Sequence, residues 1–182
     1  ALGGRGLASS RVALLLRNQV EFMPLFLGAL ASGGVAAPMN PELRGQLLAL
    51  LLRRCDPHVL AVRTDLLARL ADLPDLGGVQ LVVACGAGEV PGRMHEVPVV
   101  RLEDLTAGVP AEPPAALPRP SDLAVLMFTS GTSGGSKAAM WPHHYLYLAP
   151  AMASDALGHT SDDVLSTPLQ MCHIAGLQVF AN

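Results

Sequence analysis

Over its first 85 residues the chain alternates short apolar runs of strand character with longer runs of helical character. The strand-like runs cover residues 11–16, 35–38, 58–62 and 79–85, and the helical runs cover residues 18–32, 40–55 and 65–73. Alternation at this spacing is typical of a parallel sheet with helices on both of its faces. The sequence therefore predicts an α/β fold with a mostly parallel sheet wound with helices.

Two asparagines mark the predicted starts of the first two helices. Asn18 is followed three residues later by Glu21, which resembles a capping box, and Gly33-Gly34 is expected to end that helix. Asn40 precedes Pro41, and proline is favoured at the first helical position. The sequence predicts that both asparagines act as helix caps.

Prolines and glycines become frequent after residue 85. We predict a strand at residues 97–101, a short helical turn at 102–105 and an irregular connection after it, before a buried strand at 123–128. This pattern divides the chain into a first α/β part at residues 1–105, a Pro-rich connection at 106–122 and a third segment at 123–182.

Composition argues against several classes of function. Charged residues make up 15% of the chain and the formal net charge is −3, so no basic patch for nucleic acid or a membrane surface is expected. The apolar stretch at Phe22–Ala31 is too short for a membrane span and contains Pro24. No signal peptide is recognisable at the N-terminus. The three cysteines form no disulfide pattern, which favours the cytoplasm.

The segment after the strand at 123–128 is rich in hydroxyl groups and glycine and contains Lys137, the single lysine beside eleven arginines. Glycines let several backbone N–H groups converge on an anion, hydroxyls add donors and the ammonium adds charge. The residues expected to bind the phosphates of a nucleotide are Thr129, Ser130, Gly131, Thr132, Ser133, Gly134, Gly135, Ser136 and Lys137.

Three other interpretations of this segment fit less well. A Walker-type loop requires glycine before the lysine and a hydroxyl after it, whereas Ser136 and Ala138 occupy those places. Residues 131–136 also resemble the signature of Ser-Ser-Lys amidases, with Ser136 as nucleophile. A serine nucleophile needs a base, which in that family is an upstream lysine, and no lysine precedes Lys137 in these 182 residues. A flexible Gly/Ser linker rarely runs directly from one apolar segment into another.

Residues 128–137 resemble the phosphate-loop signature of the adenylate-forming superfamily, which includes acyl-CoA synthetases, luciferases and peptide-synthetase adenylation domains. Ser136 and Ala138 depart from the usual proline and glycine of that signature. The similarity extends to residues 11–38, to the NPELRG segment at 40–45, to His143 six residues after Lys137, and to STPLQMCHIAGL at 166–177. In the last motif Gln170 and Cys172 replace a usual proline and aromatic residue.

The resemblance implies an ATP-dependent acid–thiol ligase that activates a carboxylic acid as an acyl-adenylate and transfers the acyl group to coenzyme A. It implies ATP, Mg2+ and coenzyme A as cofactors or co-substrates, and a fatty acid or another small carboxylate as substrate. His173 and Gly176 are the implied substrate-binding residues, although His173 could instead be a capping or buried histidine. We expect no catalytic residue and no metal ligand within this chain, and expect His143 to begin a helix rather than to act in catalysis.

Motifs that the family carries further along its sequence, including a second lysine, have no counterpart in these 182 residues. We therefore expect the chain to be a segment of such an enzyme that does not catalyse adenylation by itself. The alternatives are a non-catalytic nucleotide-binding module and an inactive truncated remnant.

Overall fold

The computed structural model describes residue 7, residues 9–109, residue 114, residues 117–129 and residues 137–179, with side chains to residue 177. The elements of the first part are β1 (Arg11–Leu15), α1 (Phe22–Ala31), β2 (Val35–Pro38), α2 (Gly45–Cys55), β3 (Val59–Arg63), a 3-10 turn (Thr64–Leu66), α3 (Leu67–Ala71), β4 (Leu81–Cys85), β5 (Arg93–Met94), β6 (Val97–Arg101) and α4 (Leu102–Thr106). The later elements are β7 (Leu123–Thr129), β8 (Lys137–Pro142), α5 (His143–Leu157) and α6 (Ile174–Val179).

The eight strands form a sheet in the order β5-β6-β4-β3-β1-β2-β7-β8. The six strands from β6 to β7 in this order pair in parallel, and the edge strands β5 and β8 pair antiparallel with their neighbours. The predicted fold class, a mostly parallel sheet wound with helices, is confirmed. Because β7 pairs with β2, one sheet runs through both the first part of the chain and the segment after residue 123, and the three-part division stays a prediction.

The central strands are buried on both faces, which explains why their inner positions form continuous apolar runs rather than an alternating pattern. Along β1, Val12 and Leu14 face the cluster that contains α1, whereas Ala13 and Leu15 face the cluster that contains α2 and α3. All four side chains are at most 3% exposed. Two apolar layers therefore enclose the sheet, and the carboxyl ends of the six parallel strands meet at one edge.

The predicted capping role of Asn18 is wrong. Helix α1 begins four residues later, after Glu21, and no side chain caps its first turn. The Asn18 amide instead bonds to the backbone at Leu169 and Met171, so long-range contacts win over local capping. Pro24 lies in the first turn of α1, and the helix ends before Gly33, as predicted, with a backbone bond from the Gly34 N–H to the Ala29 carbonyl oxygen.

The predicted start of the second helix is also wrong, because α2 begins at Gly45 rather than beside Pro41. The Asn40 side-chain oxygen accepts a bond of 2.8 Å from the Glu42 N–H, which closes a turn before the helix. The predicted end is correct, since Asp56 follows the last residue with a φ of 46°.

Strand β8 is missing from the prediction, and it pairs with β7 in a hairpin. Its sequence, KAAMWP, lacks the alternating pattern that identifies strands, and pairing with β7 gives it its extended structure. His143 begins α5 as expected, and Pro150 lies inside that helix. Within the part of the chain that the structure describes, no helix has both the length and the apolar character needed to span a membrane.

Candidate nucleotide and carboxylate site

The predicted phosphate loop joins two paired strands. Thr129 ends β7 and Lys137 begins β8, and the two residues are direct partners in the antiparallel register. The Thr129 hydroxyl donates a bond of 3.4 Å to the Lys137 carbonyl oxygen. Both ends of the loop are thus held at the carboxyl edge of the sheet, and the other predicted loop residues, Ser130, Gly131, Thr132, Ser133, Gly134, Gly135 and Ser136, lie outside the described residues.

The Lys137 side chain is exposed at the base of this hairpin. Among the described residues no carboxylate forms an ion pair with its ammonium group. An ammonium group that no described carboxylate neutralises can interact with an anionic ligand such as a phosphate group.

A cavity of about 600 Å³ opens beside the hairpin base. Thr129 and His173, predicted from motifs 44 positions apart, both line it. The side chains of α2 and of the strand ends make its walls largely apolar, and a few polar groups are placed among them. The lining residues are Pro38, Met39, Asn40, Leu43, Leu47, Leu51, Met127, Phe128, Thr129, Ala139, Trp141, Gln170, Cys172, His173 and Ile174.

His173 directly precedes α6, and its ring faces this cavity while also serving the helix. Its Nδ1 accepts a bond of 3.3 Å from the Ala175 N–H in the first turn of α6. A neutral imidazole whose Nδ1 accepts carries its proton on Nε2, so the exposed nitrogen is a donor. The capping interpretation of His173 is therefore correct, and it leaves the ring free to contact a ligand.

Gly176 lies one turn further along, where it packs against backbone rather than lining the cavity. A Cβ atom at this position would lie 2.4 Å from the Gln170 carbonyl oxygen and 3.3 Å from that of Leu169. Only glycine lets α6 approach residues 169–170 this closely. Its predicted role in substrate binding stays a prediction, and its packing brings His173 to the cavity.

The turn after β2 contributes a positive patch to the same edge of the sheet. Glu42 forms ion pairs with Arg17 at 3.2 Å, with Arg69 at 3.7 Å and with Arg44 at 3.9 Å. Three guanidinium groups around one carboxylate leave a formal charge of +2. This patch was not predicted, because the arginines come from three separate elements and no local motif joins them.

The three thiols differ according to their place in the fold. Burial raises the pKa of Cys55 and of Cys85 to about 12, and the Glu21 and Glu103 carboxylates add to the effect at Cys85. Burial also raises the pKa of Cys172, which is half-buried in the cavity wall with its Sγ 3.3 Å from Gln170 Oε1. The described residues contain no group of three or more His, Cys, Asp or Glu side chains that could hold a metal ion.

A parallel sheet with a cavity at its carboxyl edge, beside two paired strands whose connecting sequence is rich in glycine and hydroxyl groups, is typical of nucleotide-binding enzymes. The family model described as AMP-binding enzyme matches residues 1–182. The chain belongs to this family of AMP-binding enzymes.

Individual relatives are similar over most of this chain. Long-chain fatty acid transport protein 1 of Rattus norvegicus is 32% identical over 168 residues, which cover 91% of this chain and 26% of that protein. The long-chain-fatty-acid–CoA ligase FadD13 of Mycobacterium tuberculosis is 28% identical over 92% of this chain and 31% of its own length. This chain thus spans less than a third of either relative.

A solved structure shows the same fold. The crystal structure of ATP-bound MatB from Rhodopseudomonas palustris matches 99% of this chain and 34% of its own with a TM-score of 0.77 at 26% identity. The two structures thus share one fold over nearly the whole of this chain.

Proposed function

We propose that this chain is the part of an ATP-dependent acid–thiol ligase that binds the phosphates of ATP and forms one wall of the carboxylate pocket. The reaction joins a carboxylic acid to ATP, releases pyrophosphate and transfers the acyl group to coenzyme A. The observation that carries the proposal is that one cavity is lined by both Thr129, at the base of the phosphate loop, and His173.

Support for ATP comes from the hairpin and its charges. The residues Thr129 to Lys137 are proposed to hold the β- and γ-phosphates, with the Lys137 ammonium neutralising charge as pyrophosphate leaves. The patch at Arg17, Arg44 and Arg69 lies at the same edge of the sheet and raises the local concentration of anions.

Support for a carboxylic acid comes from the lining of the cavity. Its apolar walls, including Leu47, Met127 and Trp141, suit a hydrocarbon or aryl group, and the Nε2–H of His173 suits an oxygen atom. Relatives of this chain include ligases named for long-chain fatty acids, for 4-coumarate and for 4-hydroxybenzoate. We propose a fatty or other small carboxylic acid as the substrate.

Coenzyme A is proposed as the thiol acceptor because relatives of this chain are named as CoA ligases. Mg2+ is expected to share the charge of the phosphates, but the described side chains supply no cluster of ligands for it, and the proposal assigns no residue to a metal ion. A cytoplasmic location is proposed from the three free cysteines, two of which are buried.

By itself the 182-residue chain is expected to release no pyrophosphate. The proposal is therefore tested on the enzyme of which this chain is proposed to be a segment, by measuring pyrophosphate release from ATP with a series of short, long-chain and aromatic carboxylic acids, with hydroxylamine added to trap the acyl-adenylate. We expect acid-dependent release, and we expect His173→Ala to raise KM for the acid by about tenfold with a smaller change in kcat. His159→Ala, two residues after the end of α5 and outside the cavity lining, is the matched control.

The outcomes separate the alternatives. ATP binding without acid-dependent pyrophosphate release indicates a nucleotide-binding module without catalysis. Neither binding nor release contradicts the proposal altogether. An equal rise of KM in His173→Ala and His159→Ala removes the role proposed for His173.

A further inference from the structure

The side-chain amide of Asn18 bridges two parts of the chain that are about 150 residues apart. Its Nδ2 donates a bond of 2.9 Å to the Leu169 carbonyl oxygen, and its Oδ1 accepts a bond of 2.8 Å from the Met171 N–H. Both ends of the amide are used, so the two bonds fix its orientation. Asn18 follows β1, which lies near the middle of the sheet and is at most 3% exposed from Val12 to Leu15.

The segment that Asn18 holds has little regular structure of its own. Residues 159–173 contain neither helix nor strand, and most of the side chains from residue 161 to residue 170 are exposed. Other hydrogen bonds here are local, joining Thr160 to Asp163 and Thr167 to Leu169. The side chain of Met171, at 9% exposure, is buried in the core beside the two hydrogen bonds of Asn18. A segment with few attachments depends strongly on each of them.

The peptide held by Asn18 is also the surface against which α6 packs. The Gln170 carbonyl oxygen accepts a bond of 2.9 Å from the His173 N–H, and it lies 2.4 Å from the position of a Cβ on Gly176. A shift of residues 169–171 would therefore move His173 and Cys172, both of which line the cavity beside the phosphate loop.

We infer that Asn18 is a positioning residue: by clamping the backbone at Leu169 and Met171 it sets the Gln170–His173 wall of the cavity against the β7–β8 hairpin. Asn18 lies outside the cavity lining and acts through this backbone. Its effect on substrate rests on the proposed function, whereas its effect on the wall does not.

Cys172 provides a direct reporter of the wall. Its thiol is half-buried, whereas Cys55 and Cys85 are buried in the two core layers. The rate at which Cys172 reacts with a nitrobenzoate disulfide reagent therefore measures how often the wall opens. We compare Asn18→Ala, which loses both bonds, with Asn18→Asp, which keeps the acceptor for the Met171 N–H but places a carboxylate beside the Leu169 carbonyl.

We expect Asn18→Ala to increase the labelling rate of Cys172 by about tenfold, because it removes two hydrogen bonds. The rate in Asn18→Asp should lie between those of Asn18→Ala and the unaltered protein. The matched control is Gln19→Ala, a neighbouring amide whose Nε2 bonds to Glu21; its labelling rate should be unchanged. Hydrogen exchange should accelerate in residues 169–177 and stay unchanged in β1. Equal acceleration at all three cysteines, or no acceleration at Cys172, overturns the inference.

Kinetics then test the link to the site. Asn18→Ala should raise KM for the carboxylic acid by about tenfold with a smaller change in kcat, with partial recovery in Asn18→Asp. Faster Cys172 labelling with unchanged KM and kcat shows that the clamp does not position the substrate wall, and this overturns the inference. Absence of acid-dependent activity in the unaltered protein contradicts the proposed function instead, and the labelling rates still decide whether Asn18 holds the wall.

Discussion

The first 105 residues and residues 137–177 differ in how completely their helices and strands are buried. In the first region α1 covers one face of the sheet and α2 and α3 cover the other, and β1 is buried from Val12 to Leu15. In the second region α5 has a single buried residue, Pro150, and the side chains of Tyr147, Met152 and Leu157 are each more than 60% exposed. We therefore expect the first region to carry most of the stability, whereas the second supplies Cys172 and His173 to a cavity whose other walls come from α2 and the strand ends.

Truncation of a core leucine should separate the two regions most clearly. Leu14, fully buried in β1, should cost about 2–5 kcal/mol of unfolding free energy when changed to alanine, because a cavity remains in a packed layer. Leu157→Ala, at an exposed position of α5, should cost less than about 0.5 kcal/mol. Urea denaturation measures both, and similar costs would show that the second region is as firmly packed as the first.

Glycine contacts give a second test within the first region. A Cβ at Gly34 would lie 2.4 Å from the Ser10 carbonyl oxygen, between α1 and β2. Gly34→Ala should cost about 1–3 kcal/mol, since backbone must shift. The matched control is Gly28→Ala inside α1, where a Cβ meets nothing within 4 Å; it should stabilise by up to about 1 kcal/mol. A destabilised Gly28→Ala protein would contradict this account of α1.

The same short approach occurs in the second region at Gly176, and there the consequence should be local. Gly176→Ala should increase the reaction rate of Cys172 by about tenfold while lowering the global unfolding free energy by less than about 1 kcal/mol. Thiol labelling and urea denaturation of the same variant give the two values. A loss as large as that of Gly34→Ala would show that α6 belongs to the same cooperative unit as the sheet.

The cysteines should show the contrast without any substitution. At about pH 8 Cys172 should react first, and Cys55 and Cys85 should react only after denaturant is added, because burial raises the pKa of both to about 12. The thiolate is the reacting form, and burial also raises the pKa of Cys172. Its rate should therefore still increase between about pH 8 and pH 10. A reaction rate that stops rising within that interval would contradict a raised pKa of Cys172.

The sequence predicts the elements that a local residue pattern determines. It does not predict the elements that depend on contacts with distant parts of the chain. The central parallel strands contain continuous apolar runs, so β1, β2, β3 and β4 could be predicted from the sequence. Asn18 and Asn40 look like helix caps locally, but Asn18 bonds to residues 169 and 171 and Asn40 closes a turn.

The candidate site divides in the same way. The ends of the phosphate loop were predicted from motif residues, and the structure pairs Thr129 with Lys137. Strand β8 was not predicted, because its structure depends on pairing with β7. The arginines around Glu42 were not predicted either, because they come from three separate parts of the chain. The clamp at Asn18 needs knowledge of the fold, since no spacing rule relates position 18 to position 170.

The central claim is that the hairpin between β7 and β8 binds ATP through Lys137, and calorimetric titration with ATP tests it most directly. We predict saturable binding, weakened by about tenfold to a hundredfold in Lys137→Ala, because a charge-assisted contact to phosphate is lost. Arg93→Ala, at the opposite edge of the sheet in β5, is the matched control and should bind as the unaltered protein does. Absence of binding at millimolar ATP, or equal binding by Lys137→Ala, would contradict the account.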